Sequence, residues 1–98
     1  MISAWFSTTA NVAANRDTVK RFAAVMHDAS MFSNANPKEM AKYLAPYFHE
    51  DVALIGKTPP ALLGATLEAS ELQPIVDAAL RYGLIAKGYP ASELIASA

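Results

Sequence analysis

The sequence predicts a mainly α-helical fold in which one short amino-terminal strand is followed by four or five helices. Three observations predict it. Apolar residues recur at steps of three and four between positions 15 and 33, which is the period of an amphipathic helix. Residue types that start helices precede three further stretches. Aromatic and β-branched residues come together near the amino terminus and favour a strand there.

The predicted strand covers Met1 to Thr8 (MISAWFST). Its aromatic and β-branched side chains fit a pleated surface, although the sequence offers it no obvious strand partner. Trp5 within it has two interpretations that the sequence leaves open. It is either a core side chain or an aromatic platform against which a small ligand stacks, because aromatic walls are typical of small-molecule clefts.

The longest predicted helix, of about 17 residues, runs from Asn15 to Ser33. Asn15 is of the type that caps a helix start, and Asp17 would lie in the first turn, where the helix dipole favours an anion. We expect its apolar stripe to form the core scaffold of the fold. The stripe consists of Val19, Phe22, Met26, Ala29 and Phe32, widened by Val25.

Two shorter helices are predicted next. Asn36, Pro37 and Glu39 form a helix start with a cap, a proline at the first helical position and a glutamate that can reach back to the cap. Pro46 should kink or end this helix near Ala45, because proline lacks an N–H and clashes one turn back. Asp51 should then cap a short helix that extends to about Ile55 and closes at Gly56.

The carboxy-terminal third predicts one helix and one turn. Ser70 to Gln73 repeats the capping-box pattern, with glutamine at the third helical position. Gly83 supplies the stop, because glycine readily adopts the left-handed conformation that ends helices. Pro90 to Ile95 should form a final short helical turn.

The composition suggests a chain that does not bury all of its apolar surface alone. Hydrophobic residues make up 53% and charged residues 17% of 98 residues. A chain of this length buries only about 60–65% of its unfolded surface, so we expect residues 1–98 to form a single segment that needs the rest of a protein or a second copy. The net charge of -1 offers no electrostatic footprint for nucleic acid.

The residues that would carry catalysis or bind metal are missing or scattered. There is no cysteine, and His27 and His49 lie in different predicted helices without acidic residues at ligand spacing. The four glycines form no phosphate-binding loop. We therefore expect no enzyme activity, no metal and no cofactor. No stretch reaches the roughly 18 apolar residues of a membrane span, and the amino terminus lacks the basic region of a secretory signal.

The order of motifs resembles a known family. The stretch ISAWFSTT at 2–9, the helix start NRDTVKRF at 15–22 and the second helix start NANPKE at 34–39 are similar to the nitrate/sulfonate/taurine and thiamine-precursor solute-binding proteins of ABC importers. The most specific part is LQPIVDAALRYGLI at 72–85 followed by YPASELI at 89–95. The resemblance covers essentially the whole chain, and it departs from the family's pattern at Arg16, where the family tends to have proline.

The resemblance implies a two-lobed α/β binding protein of the periplasm, of which this chain would be the carboxy-terminal helical part. The whole protein would capture a small molecule by closing its lobes and would pass it to an ABC permease. The predicted strand would border the cleft. The ligand-binding residues would then be Ser3, Trp5, Ser7 and Thr8.

Two other functions stay open at this stage. One is a fragment of a pyrimidine synthase of the same superfamily, which would be an enzyme. The other is a free-standing helical adaptor that dimerises through its apolar faces. We also expect the 98-residue chain to self-associate through the amino-terminal strand, the helix face of Phe22 and Phe32, or both, since an unpaired strand edge and an apolar patch both attract partners.

Overall fold

The computed structural model describes residues 3–96, and the predicted mainly α-helical fold is confirmed over them. No strand occurs in that range. The helices are α1 (Thr9–Ala14), α2 (Arg16–Ala35), α3 (Pro37–Phe48), α4 (Val52–Lys57) and α5 (Ala69–Arg81), followed by a 3₁₀ turn (Ala91–Leu94).

The predicted amino-terminal strand is wrong for the part of it that the structure describes. Residues 3–8 are irregular, and the first two residues of the prediction lie outside the described range. A strand is held by ladder hydrogen bonds to a neighbour, and between residues 3 and 96 there is no second strand to supply them. The end of this segment instead starts a helix, because the Thr8 hydroxyl accepts a hydrogen bond of 3.2 Å from the Asn11 N–H.

Helix α1 was not predicted, because TANVAA has no apolar stripe. Its carboxy-terminal residue is capped by Asn15, the residue predicted to begin the next helix. Helix α2 does begin immediately afterwards at Arg16 and continues to Ala35, which confirms the predicted helix. The side-chain amide of Asn15 donates to Asn11 Oδ1 at 2.8 Å, while the Asn15 carbonyl accepts a hydrogen bond of 3.0 Å from the Val19 N–H of α2.

Helix α3 begins after Asn36 as predicted, although Asn36 makes no side-chain cap. Its amide donates instead to the Phe32 carbonyl at 2.9 Å, because only one residue separates α2 from α3 and the last turn of α2 has carbonyls to satisfy. The predicted end near Ala45 is too early. Pro46 lies inside the helix, which continues to Phe48 before His49 turns into the left-handed region with φ 56°.

Helix α4 is capped as predicted, since Asp51 accepts a 2.7 Å hydrogen bond from the Ala53 N–H. Helix α5 begins at Ala69, two residues before the start that a Ser70 cap predicts, and Gln73 does not form the capping box. The predicted stop at Gly83 is confirmed. Gly83 has φ 72°, its N–H donates to Leu80, and the Leu84 N–H donates to Ala79, which is the hydrogen-bond pattern of a Schellman cap.

The chain divides into two compact units. The terminal unit combines Met1–Phe22 with Thr66–Ala98, and the central unit is Ala23–Ala65. In the terminal unit α5 packs against the 3₁₀ turn, and in the central unit α3 packs against α4. The boundary between the units falls within α2, between Phe22 and Ala23.

The buried residues are few and small. Within residues 3–96 the buried hydrophobic side chains are Ala41, Ala45, Val76 and Ala91, and the buried polar one is Ser30. The expectation that the apolar stripe of α2 forms the core is therefore wrong. Phe22 is 46% exposed, Val25 64% and Phe32 47%, while Val19 and Met26 of the same stripe are half-buried.

Candidate functional site

The four residues predicted to bind ligand lie in the irregular segment before α1 and are all exposed. Two of their hydroxyls already have a structural partner in Asn11. The Thr8 oxygen accepts from the Asn11 N–H, and the Ser7 oxygen accepts from the Asn11 side-chain amide at 2.8 Å. In both cases the hydroxyl acts as acceptor, so its own hydrogen is still available to a ligand.

Trp5 is the most prominent side chain of this segment. It is 72% exposed. The rings of Trp5 and Phe22 are in edge-to-face contact, with a centroid distance of 5.5 Å and an interplanar angle of 86°. This is a favourable aromatic geometry. The contact fixes the indole on the first turns of α2 and leaves most of its surface open. Sequence reasoning singled out Trp5 but missed that Phe22 would hold it.

The segment does not form an enclosed cavity within its own unit. Open depressions occur at residues 13–18 and at residues 35–39, both at helix starts. Neither depression includes Ser3, Trp5, Ser7 or Thr8. The four residues predicted to bind ligand therefore lie on exposed surface outside both depressions.

A second polar arrangement lies in the central unit and anchors the loop before residue 66. The Asn34 amide pairs with both backbone groups of Leu63, donating to its carbonyl at 2.7 Å and accepting from its N–H at 3.0 Å. His27 Nδ1 lies 2.9 Å from the Ala65 carbonyl, so this nitrogen carries the proton and donates. Side chains seven residues apart share one helix edge, and this edge holds the loop.

Gln73 performs a comparable task in the terminal unit. Its side-chain oxygen accepts from the Ala91 N–H at 2.8 Å, and its amide nitrogen donates to Asp77 at 2.9 Å. The bond to Ala91 is partly buried and fastens the first residue of the 3₁₀ turn to α5. The role of Gln73 is thus structural, and sequence reasoning missed it because the bond spans 18 residues.

The charged side chains of the described residues form one surface ion pair and no metal-binding cluster. Between residues 3 and 96 no three His, Cys, Asp or Glu side chains are grouped so as to hold a metal ion. Lys42 donates to Glu39 at 2.8 Å on the exposed side of α3, and this hydrogen bond raises the pKa of Lys42. A surface pair of this kind contributes little to stability.

Among the described residues, no helix combines the length and the apolar character needed to cross a membrane. Comparison of the chain with protein families, with curated proteins and with solved structures finds no match.

Proposed function

We propose that this chain is the carboxy-terminal helical part of a periplasmic solute-binding protein that captures a small molecule for an ABC importer. The observation that carries the proposal is the Gln73–Ala91 hydrogen bond. It joins the two stretches, 72–85 and 89–95, in which the resemblance to that family is most specific. The two stretches that carry the resemblance are therefore in contact in the folded chain, as expected if both belong to one structural element of the family's fold.

The distribution of apolar residues also supports the proposal. The chain is 53% hydrophobic, yet the buried hydrophobic residues among 3–96 are three alanines and one valine. Exposed aromatic and aliphatic side chains lie on α2, α3 and α5 instead. Helices with open apolar faces are what a segment presents when the rest of its protein covers them.

The segment around Trp5 would form one wall of the ligand site. Its hydroxyl hydrogens suit the oxygens of a nitrate or sulfonate group, because small anions are held by donors aimed at their oxygens. The indole suits the apolar part of an organic ligand. Ligand binding would favour the closed arrangement of the two lobes by its higher affinity for that state. Pyrimidine-like ligands fit the same wall through stacking.

A ligand screen of the protein expressed from its complete reading frame tests this function. A ligand that binds only the folded state raises the melting temperature, and at 100 times its Kd it adds about 2.7 kcal/mol of stability. We expect a concentration-dependent rise with at least one of nitrate, taurine, an alkanesulfonate or a pyrimidine. Trp5→Ala should abolish the shift. Tyr82→Ala, at a tyrosine that is 76% exposed on another segment, should leave the shift unchanged.

If none of these ligands raises the melting temperature of a protein that unfolds cooperatively, the proposal is contradicted. A shift that survives Trp5→Ala would keep the function and remove Trp5 from the site.

A helical dimerisation or adaptor domain is a second candidate, and the uncovered stripe of α2 favours it. The two candidates differ in what the reading frame encodes. A binding protein requires a further domain upstream to form the other side of the cleft, whereas an adaptor requires none.

A further inference from the structure

The loop that follows α4 begins with an extended stretch at residues 58–63 (TPPALL), the proline segment. Thr58 has φ −75° and ψ 134°, which are the dihedral angles of a polyproline II helix. Thr58 and Pro59 each precede a proline, which disfavours the α region for them, and the rings of Pro59 and Pro60 fix φ at about −65°. No peptide bond between residues 3 and 96 is cis. The segment therefore starts as a turn of polyproline II.

Both ends of the proline segment are fixed to helices of the central unit. The Thr58 N–H donates to the Ile55 carbonyl at 3.1 Å, and the Thr58 hydroxyl donates to the Leu54 carbonyl at 3.2 Å, both in α4. At the other end the side-chain amide of Asn34 in α2 binds both backbone groups of Leu63. A partner would thus meet a segment that is already ordered, and less conformational entropy would be lost on binding than with a free peptide.

The middle of the proline segment is open. Residues 58–63 are all exposed, and Leu62 is 87% exposed. Among the hydrogen bonds of residues 3–96, none is made by the backbone of residues 59–62. The segment therefore presents two proline rings, a leucine side chain and free carbonyl oxygens.

The chemistry of the segment restricts how another protein could bind it. Pro59 and Pro60 lack an N–H, so the segment cannot complete the ladder of an added strand. It cannot be read as a helix in a groove either, because it is not helical. The remaining mode is polyproline II recognition, in which a groove lined by aromatic side chains takes up a preformed extended segment.

We propose that the proline segment is a docking site for a partner protein whose groove is lined by aromatic side chains. The rings of such a groove pack on the prolines and on Leu62, and its tryptophan N–H or tyrosine O–H groups donate to the free carbonyls. The inference does not depend on the proposed function, because the segment belongs to none of the helices α2, α3 and α5 whose apolar faces that function leaves to the rest of the protein.

Titration of the isotope-labelled chain with purified SH3, WW and EVH1 domains, followed by nuclear magnetic resonance, tests the docking site. At least one domain should shift the amide signals of Thr58, Ala61 and Leu62 saturably, with a Kd below about 1 mM. Pro59→Ala combined with Pro60→Ala should weaken this binding about 10-fold or more, because the segment loses its fixed φ angles. The matched control, Pro37→Ala, replaces an exposed proline at the start of α3 and should bind like the unaltered chain.

A synthetic peptide of residues 57–64 gives a second measurement that does not require any variant to fold. It carries the same side chains without the anchors to α4 and α2, so it should bind the same domain about 3-fold or more weakly than the folded chain. Absence of saturable shifts with all three domains would overturn the docking site, as would undiminished binding by the double proline variant. A peptide that binds as tightly as the chain would overturn the role of the anchors. None of these results bears on solute binding, so the two proposals fail separately.

Discussion

The side-chain oxygen of Gln73 accepts a hydrogen bond from the Ala91 N–H at 2.8 Å, across 18 residues of chain. This contact fastens the first residue of the 3₁₀ turn to α5, and the amide nitrogen of the same side chain donates to Asp77 and to the Tyr89 carbonyl. A glutamine that looks like part of a helix cap in the sequence is thus a clamp between two elements.

Replacing Gln73 by alanine should cost about 1–2 kcal/mol, because it leaves the partly buried Ala91 N–H without its partner. Denaturant unfolding measures the cost, and hydrogen exchange of the Ala91 amide measures its local origin. Glu71→Ala, at an exposed position of the same helix, serves as control and should change stability by less than about 0.5 kcal/mol. Undiminished protection of the Ala91 amide in Gln73→Ala would show that another group holds the tail.

At the left-handed residue that ends α3, a substitution should raise the stability of the fold instead of lowering it. His49 has φ 56°, and the Glu50 N–H donates to the Ala45 carbonyl at 3.0 Å in a Schellman pattern. A side chain costs energy in this conformation and glycine does not. His49→Gly should therefore stabilise the fold by about 0.5–1 kcal/mol, measured by thermal unfolding. His49→Ala keeps a side chain at the position and should bring no such gain.

Gly83 offers the reciprocal test. Its φ is 72°, and a Cβ added there would meet no atom within 4 Å. Any loss of stability in Gly83→Ala therefore comes from the backbone conformation alone, and we expect about 1 kcal/mol in thermal unfolding. Stability equal to that of the unaltered chain would mean that α5 can end without the left-handed turn.

The loop at residues 63–65 should depend on Asn34. Asn34→Ala removes two hydrogen bonds to the Leu63 backbone and should cost about 1–2 kcal/mol. Asn34→Asp keeps the acceptor for the Leu63 N–H but sets an oxygen against the Leu63 carbonyl, so it should recover little of the loss. Exchange protection of the Leu63 amide is the direct readout. If both variants leave that protection unchanged, Asn34 does not hold the loop.

Replacement of Phe22 tests whether the apolar stripe of α2 is exposed, as in the structure, or buried, as the sequence predicted. The sequence-based expectation of a buried ring predicts a loss of about 3–5 kcal/mol for Phe22→Ala. With the ring 46% exposed and in contact with Trp5, we expect about 1–2 kcal/mol in denaturant unfolding. The fluorescence of Trp5, the one tryptophan of the chain, should change as its ring neighbour is lost. If Phe22→Ala lowers the free energy of unfolding by more than about 3 kcal/mol and leaves the fluorescence of Trp5 unchanged, the ring of Phe22 is buried as the sequence predicted.

Local signals in the sequence were sufficient for much of the helical structure. The starts after Asn36 and Asp51 and the stop at Gly83 depend on residues within one turn, so their types predict the element. The contacts that organise each unit depend on partners far along the chain. Asn34 pairs with Leu63 across 29 residues, and no periodicity reveals such a bond.

The errors have the same physical origin. The residues around Trp5 have the composition of a strand, but a strand exists only where a neighbour completes its hydrogen bonds. The stripe of α2 has the spacing of a core helix, but spacing reports an apolar face and does not say what covers it. The candidate ligand wall was named from the sequence, while its support by Phe22 and Asn11 required coordinates.

The proposed function requires the protein to bind a small solute through a site to which the Trp5 segment contributes. Calorimetric titration of the protein from its complete reading frame, with nitrate, taurine, an alkanesulfonate and a pyrimidine in turn, tests it most directly. We expect saturable binding of at least one ligand at one site per chain, lost in Trp5→Ala and kept in Tyr82→Ala. Absence of saturable heat with all of them, in a folded protein, would contradict it.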